Sequence, residues 1–164
     1  MKKVAVVLAI CLVLRVIAGG VVFAKGPPTG AGAAKMPLWN STGEAGVGWT
    51  CEGGALKTDD GPYGFVILNT NASGELIVEF ALKGATEKAT FDLYVNQVDI
   101  DNGCTFRPVS ERLVGQLTTN GRGNGNAHFN LPRWADADKF WVSAMELPKP
   151  YSGQCLRSQP VVLD

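Results

Sequence analysis

Two patterns divide the chain. From Val4 to Leu14 the residues are apolar without a break, Arg15 interrupts the run, and Val16 to Ala24 is apolar again. From Trp39 onward, apolar residues instead recur at every second position in short segments. Leu76, Val78, Phe80 and Leu82 alternate with Glu75, Ile77, Glu79 and Ala81. Phe91, Leu93 and Val95 alternate with Thr90, Asp92, Tyr94 and Asn96. Leu113, Gly115 and Leu117 alternate with Val114, Gln116 and Thr118, and Phe129 and Leu131 with His128 and Asn130. Period-two alternation puts one set of side chains on each face of a strand. Tyr63 to Leu68, Phe140 to Leu147 and Pro160 to Leu163 are more continuously apolar, which predicts central strands covered on both sides.

Turn residues separate the segments: Asp60-Gly61-Pro62, Asn71-Ala72-Ser73-Gly74, Asp101-Asn102-Gly103, Asn120-Gly121 and Pro148-Lys149-Pro150. No ten-residue stretch beyond residue 24 carries a helical stripe. The pattern predicts an all-β domain, an antiparallel β-sandwich of about seven to eight strands, preceded by an N-terminal signal helix.

The N-terminal run has the layout of a secretion signal. Met1-Lys2-Lys3 is a basic start, the apolar centre follows, and Val22-Phe23-Ala24 offers small residues at the cut. The expected cut follows Ala24; the alternative follows Gly20. The competing reading is an uncleaved anchor over residues 4–24, long enough for a bilayer. Arg15 near its middle opposes that reading, because a central charge costs about 2.5–3.5 kcal/mol on insertion. Cys11 lacks the small residue before it that lipoprotein signals carry, so no lipidation is expected. Lys25 to Lys35 is built from Gly, Pro and Ala and buries nothing by pattern. The expected division is a signal at 1–24, a flexible spacer at 25–38 and one domain at 39–164.

Composition agrees with strands joined by tight turns. The chain has twenty glycines among 164 residues, 46% apolar residues and only 18% charged ones. Cleavage removes Lys2, Lys3 and Arg15 and no acid, leaving 12 positive against 15 negative charges. That balance gives no electrostatic pull toward nucleic acid or an anionic membrane.

Leu82-Lys83-Gly84-Ala85-Thr86-Glu87-Lys88-Ala89-Thr90-Phe91-Asp92-Leu93-Tyr94-Val95 resembles the strand-crossing corner of fibronectin-III and other immunoglobulin-like sandwiches. There a Leu-x-Gly element precedes a Thr-Tyr-x-Val strand. Phe91 stands in place of the corner Tyr, and about seventy residues follow, more than the last two strands of a fibronectin module. The resemblance implies a sandwich in which 82–95 passes from one sheet to the other.

Candidate chemistry is sparse. With Cys11 removed, Cys51, Cys104 and Cys155 remain, and export implies that two of them pair. Cys104 and Cys155 both follow polar turns, so that bridge is expected, with Cys51 reduced. It would close 51 residues and contribute about 4 kcal/mol in the chain-entropy account. His128 is the lone histidine and falls on the polar face of its strand, with no Gly-x-Ser-x-Gly motif to serve. Asp99-Ile100-Asp101-Asn102-Gly103 departs from a calcium loop, since position twelve is Ser110. Thr118 to Asn126 holds three glycines between two strands and reads as a hairpin loop. Glu75 and Glu79 share a face about 13 Å apart, too far for paired glycosidase acids. No metal site and no cofactor are expected.

Trp39, Trp49 and Trp134 fall near loops or segment ends, where exposed rings stack on sugars or fill a partner's pocket; Trp141 sits in an apolar strand and reads as core. Asn40-Ser41-Thr42 and Asn71-Ala72-Ser73 fit the N-glycosylation pattern at Asn40 and Asn71. The expectation is a non-enzymatic module, secreted or at the cell surface, that binds an extracellular glycan or protein or its own copies. The alternative is a secreted hydrolase using carboxylates among Asp92, Asp99, Asp101 and Glu111. Protein recovered from the native host should begin at Lys25 by intact mass; a full-length, membrane-bound species would contradict cleavage.

Overall fold

The computed structural model describes residues 33–41, 61–99, 101, 105–106, 109–148 and 153–163. The expected signal, Trp49, Cys51 and Cys104 lie outside them. Ten strands and one helical turn are described: β1 (Ala34–Pro37), β2 (Trp39–Asn40), β3 (Gly64–Thr70), β4 (Glu75–Leu82), β5 (Thr90–Asp99), β6 (Thr105–Phe106), α1 (Val109–Arg112), β7 (Leu113–Thr118), β8 (Gly125–Pro132), β9 (Lys139–Glu146) and β10 (Cys155–Arg157). They form two antiparallel sheets, one ordered β1-β3-β4-β8 and the other β2-β10-β9-β5, with β6 and β7 both pairing β5.

The inner alternates of the two sheets make the core. Met36, Val66, Leu68, Leu76, Val78, Phe80 and Leu82 from the four-stranded sheet meet Phe91, Leu93, Val95, Phe140, Val142, Ala144 and Leu156 from the larger one. β4 keeps its predicted alternation, with Leu76, Val78, Phe80 and Leu82 buried and Glu75 and Glu79 exposed. β5 and β9 are buried on both faces across residues 91–98 and 140–145, as the continuous apolar run in β9 predicts. An all-β sandwich is therefore the fold.

Four expectations change in detail. The spacer expected through residue 38 gives its last residues to the fold: β1 pairs β3, and Met36 and Leu38 are buried. A four-residue edge strand containing a proline is too short to show period-two alternation. Ten strands lie among the described residues, more than expected because β1, β2, β6 and β10 have only two to four residues each. Pro160 to Leu163 is not a strand; only Val161 bridges to Phe140, although Leu163 is buried. The loop at 119–124 is not a hairpin, since β7 belongs to the larger sheet and β8 to the smaller.

That loop meets the other sheet crossing, residues 83–89 between β4 and β5, at one corner. The Ala85 amide donates to the Gly123 carbonyl (3.1 Å), Lys88 N–H to Asn120 O (3.1 Å) and Thr119 N–H to Ala89 O (2.9 Å). The buried Thr119 hydroxyl accepts from Ala89 N–H (3.0 Å) and donates to Thr86 O (2.6 Å). Gly123 has φ +68°, and a Cβ there would collide with the Ala85 carbonyl, so this position requires glycine. Asn120 Oδ1 holds the loop by accepting from the amides of Arg122 (2.8 Å) and Asn124 (3.1 Å).

The segment before β10 joins the same corner. Glu146 Oε2 accepts from Thr86 Oγ1 (2.8 Å) and Gln154 N–H (2.7 Å), while Gln154 Oε1 accepts from Thr86 N–H (3.1 Å). Replacing Thr119 by valine keeps shape but strands a buried donor and acceptor. Thr119→Val should cost about 1–3 kcal/mol in denaturant unfolding, with Thr119→Ser closer to the parent. A loss below about 0.5 kcal/mol would show that the corner does not depend on this hydroxyl.

Candidate functional site

The outer face of the four-stranded sheet is open to solvent. Register sets Pro37, Phe65, Ala81 and Asn126 in one row across the strands and Lys35, Ile67, Glu79 and His128 in the next. Asn69, Ile77 and Asn130 continue the pattern. A depression of about 350 Å³ lies here, lined by Phe65, Ile67, Glu79, Ala81, Asn126 and His128. Its floor is apolar and its rim carries a carboxylate, an amide and an imidazole. His128 Nδ1 stands 3.6 Å from Glu79 Oε1, with side chains 55% and 48% exposed, so the pair is screened and weak. Lys35 Nζ lies 3.9 Å from the centroid of the Phe65 ring. His128 is solvated, as its strand position implies; its partner depends on β4 lying beside β8, which no local pattern encodes.

The outer face of the larger sheet is different in kind: it is polar and buried. Asp92 is 2% exposed, Asn96, Trp141 and Ser143 are 0%, and Tyr94, Met145 and Arg157 are 7%. Register brings them together, with Tyr94 beside Ser143, Ser143 beside Arg157, and Asn96 beside Trp141. Gln116 Nε2 donates to Asp92 Oδ1 (2.8 Å) and Arg112 Nη1 to Asn96 Oδ1 (3.3 Å). Burial lowers the Arg112 pKa, and nearby Tyr94 acts to raise it. Buried polar groups of this kind persist only when partnered. Ser143 Oγ is buried without a hydrogen-bond partner. This layer fixes the sheet and leaves Asp92 out of reach of a ligand.

The carboxylates considered for hydrolysis do not all converge. Asp92 and Asp99 lie seven residues apart on β5 and on opposite faces, a separation of roughly 23 Å by strand rise. Asp101 and Glu111 are exposed. Among the described residues, no group of three or more His, Cys, Asp or Glu is placed to hold a metal ion.

The tryptophans separate. Trp39 stands in β2 opposite Arg157, half-buried, and a Cβ on Gly61 would lie 3.0 Å from its ring. Trp134 is half-buried against the core and donates its backbone N–H to Gln97 Oε1 (2.7 Å) on β5. β2 and β5 are three strand spacings apart, roughly 14 Å. Trp49 lies outside the described residues. Trp141 is fully buried, but on the polar outer layer rather than between the sheets.

Cys155 stands half-buried in β10 with a free thiol, so the expected bridge to Cys104 is not shown. Asn40 is half-buried in β2, and the neighbouring Ser41 is buried. Asn71 lies at the tip of the β3–β4 hairpin. Its Oδ1 accepts from the amides of Ser73 (3.0 Å) and Glu75 (2.8 Å), and its Nδ2 donates to Glu75 Oε2 (2.8 Å). The site residues that sequence reasoning passed over are Phe65, Ile67 and Asn126. Phe65 and Ile67 alternate with buried Val66 and Leu68, a pattern hidden because both faces of β3 are apolar. Comparison with protein-family models, curated proteins and solved structures finds no match.

Proposed function

We propose that the chain is an exported, non-catalytic binding module, secreted or held at the cell surface, whose contact surface is the open face of the four-stranded sheet. The observation that carries the reading is the depression of about 350 Å³ with an apolar floor of Phe65, Ile67 and Ala81 and a polar rim of Glu79, Asn126 and His128. Such a mixture suits a neutral, hydroxyl-rich ligand. The C–H faces of a sugar rest on the apolar floor, and its hydroxyls exchange hydrogen bonds with the carboxylate, amide and imidazole. A rigid sheet supports the face, so little conformational entropy is lost on contact. An extracellular glycan is therefore the preferred ligand class, with a protein surface second.

A glycan array probed with the mature protein, followed by NMR titration of the selected oligosaccharide, tests this. Amide shifts should centre on Phe65, Ile67, Glu79, Asn126 and His128. Phe65→Ala or Asn126→Ala should weaken binding roughly tenfold, about 1.4 kcal/mol. Shifts centred on Trp39 or the loop ends would refute the face, and an array without binders would refute the glycan.

A further inference from the structure

β8 closes one side of the four-stranded sheet, and among the described residues no strand pairs with its outer edge. Its eight residues include no Asp, Glu, Lys or Arg; His128 is the one titratable side chain. Every inward-facing position is only half-buried, although the adjacent Leu76, Val78 and Phe80 of β4 are at most 1% exposed. Ala127, Phe129 and Leu131 thus present apolar area at an open edge. The opposite edge is guarded, since β1 is four residues long and carries Lys35 and Pro37. Short and charged edges resist strand addition, whereas a long uncharged edge invites it; the proline of β8, Pro132, stands at its C-terminal end and withholds one donor there only.

We propose that β8 pairs antiparallel with β8 of a second copy, giving a closed dimer with a continuous eight-stranded sheet. The alternation restricts the register, because outward residues must meet outward residues. Two registers span most of the strand. Centred on His128, the pairing sets Asn126 opposite Asn130 of the second copy at both ends. Centred on Phe129, it sets His128 opposite Asn130 and Ala127 opposite Leu131. Neither opposes like charges at neutral pH, and the amides of Asn126 and Asn130 are self-complementary, each having donors and acceptors. Both registers bury the half-exposed Ala127, Phe129 and Leu131. A two-fold contact consumes both β8 edges, and the guarded β1 edges stop further growth of the joined sheet. The pairing does not rest on what the open face binds, though it would join two such faces.

Sedimentation of the mature chain from micromolar to millimolar concentration should show a monomer–dimer equilibrium. Hydrogen exchange of β8 amides should slow with concentration while β1 amides stay unchanged. His128→Lys with Asn130→Lys places lysines opposite one another in either register. It should weaken the dimer at least roughly tenfold with an unchanged far-UV spectrum. If that variant fails to fold, the concentration dependence of β8 exchange in the parent decides alone. A monomer at every concentration, a dimer that adds no β8 protection or survives the lysines, or growth past two copies would overturn the proposal. β8 protection gained only from another extracellular protein would overturn it too, by assigning the edge to a foreign strand.

Discussion

The Thr119 hydroxyl sits where two chain crossings between the sheets meet, and it ties its own segment, 119–124, to residues 83–89. It takes the Ala89 amide proton and gives its own to the Thr86 carbonyl. Residues 83–89 carry the chain from the four-stranded sheet to the larger one, and 119–124 carry it back. Neither crossing has a ladder to satisfy its backbone, so each satisfies the other. A sandwich needs its sheets held at a fixed angle and spacing before side chains interdigitate. The corner supplies that constraint at one end, with Glu146 and Gln154 adding a tie to the segment before β10. Near the chain's other end, Arg133 donates to Thr70 Oγ1 (3.2 Å) and to the Leu163 carbonyl (2.9 Å), fastening the C-terminal segment to the β3–β4 hairpin.

Much of this is legible in the sequence wherever one face of a strand is wet. β4 and β8 show their alternation, and the corner at 82–95 resembles a strand crossing and is one; in β7 the expected alternation fails at its start, where a register shift beside Leu93 and Tyr94 exposes Leu113 and packs Val114 on the core. Local pattern fails in three physical circumstances. Strands of two to four residues such as β1 and β10 have too few positions to display a period. The Gly-rich loop at 119–124 has hairpin chemistry, yet its flanking strands pair with β5 and β4 in different sheets, a choice made by the core. Trp141 and Asp92 sit in a strand context that predicts burial and exposure respectively, but both lie in a second, polar buried layer. The candidate site is the least legible part. Glu79, His128 and Phe65 become neighbours only through cross-strand register.

The two outer faces divide the work of the molecule. The larger sheet spends its polar residues on a buried layer, including Asp92 held by Gln116 and Asn96 held by Arg112. Buried charges and amides cost free energy unless fully partnered, which favours a single arrangement of that sheet. The smaller sheet keeps its polar residues in water, and its open edge at β8 lies beside the depression. A rigid larger sheet thus supports an accessible smaller one.

Native-state hydrogen exchange tests the central claim, that the sheets are locked where the crossings meet. The amides of Ala85, Ala89 and Thr119 lie in connecting segments, which ordinarily exchange by small local openings. They should instead exchange only through global unfolding, with the same opening free energy and denaturant slope as Val78 and Val142 in the central strands. Exchange of these three amides at the rate of the β3–β4 hairpin tip, independent of denaturant, would contradict the account.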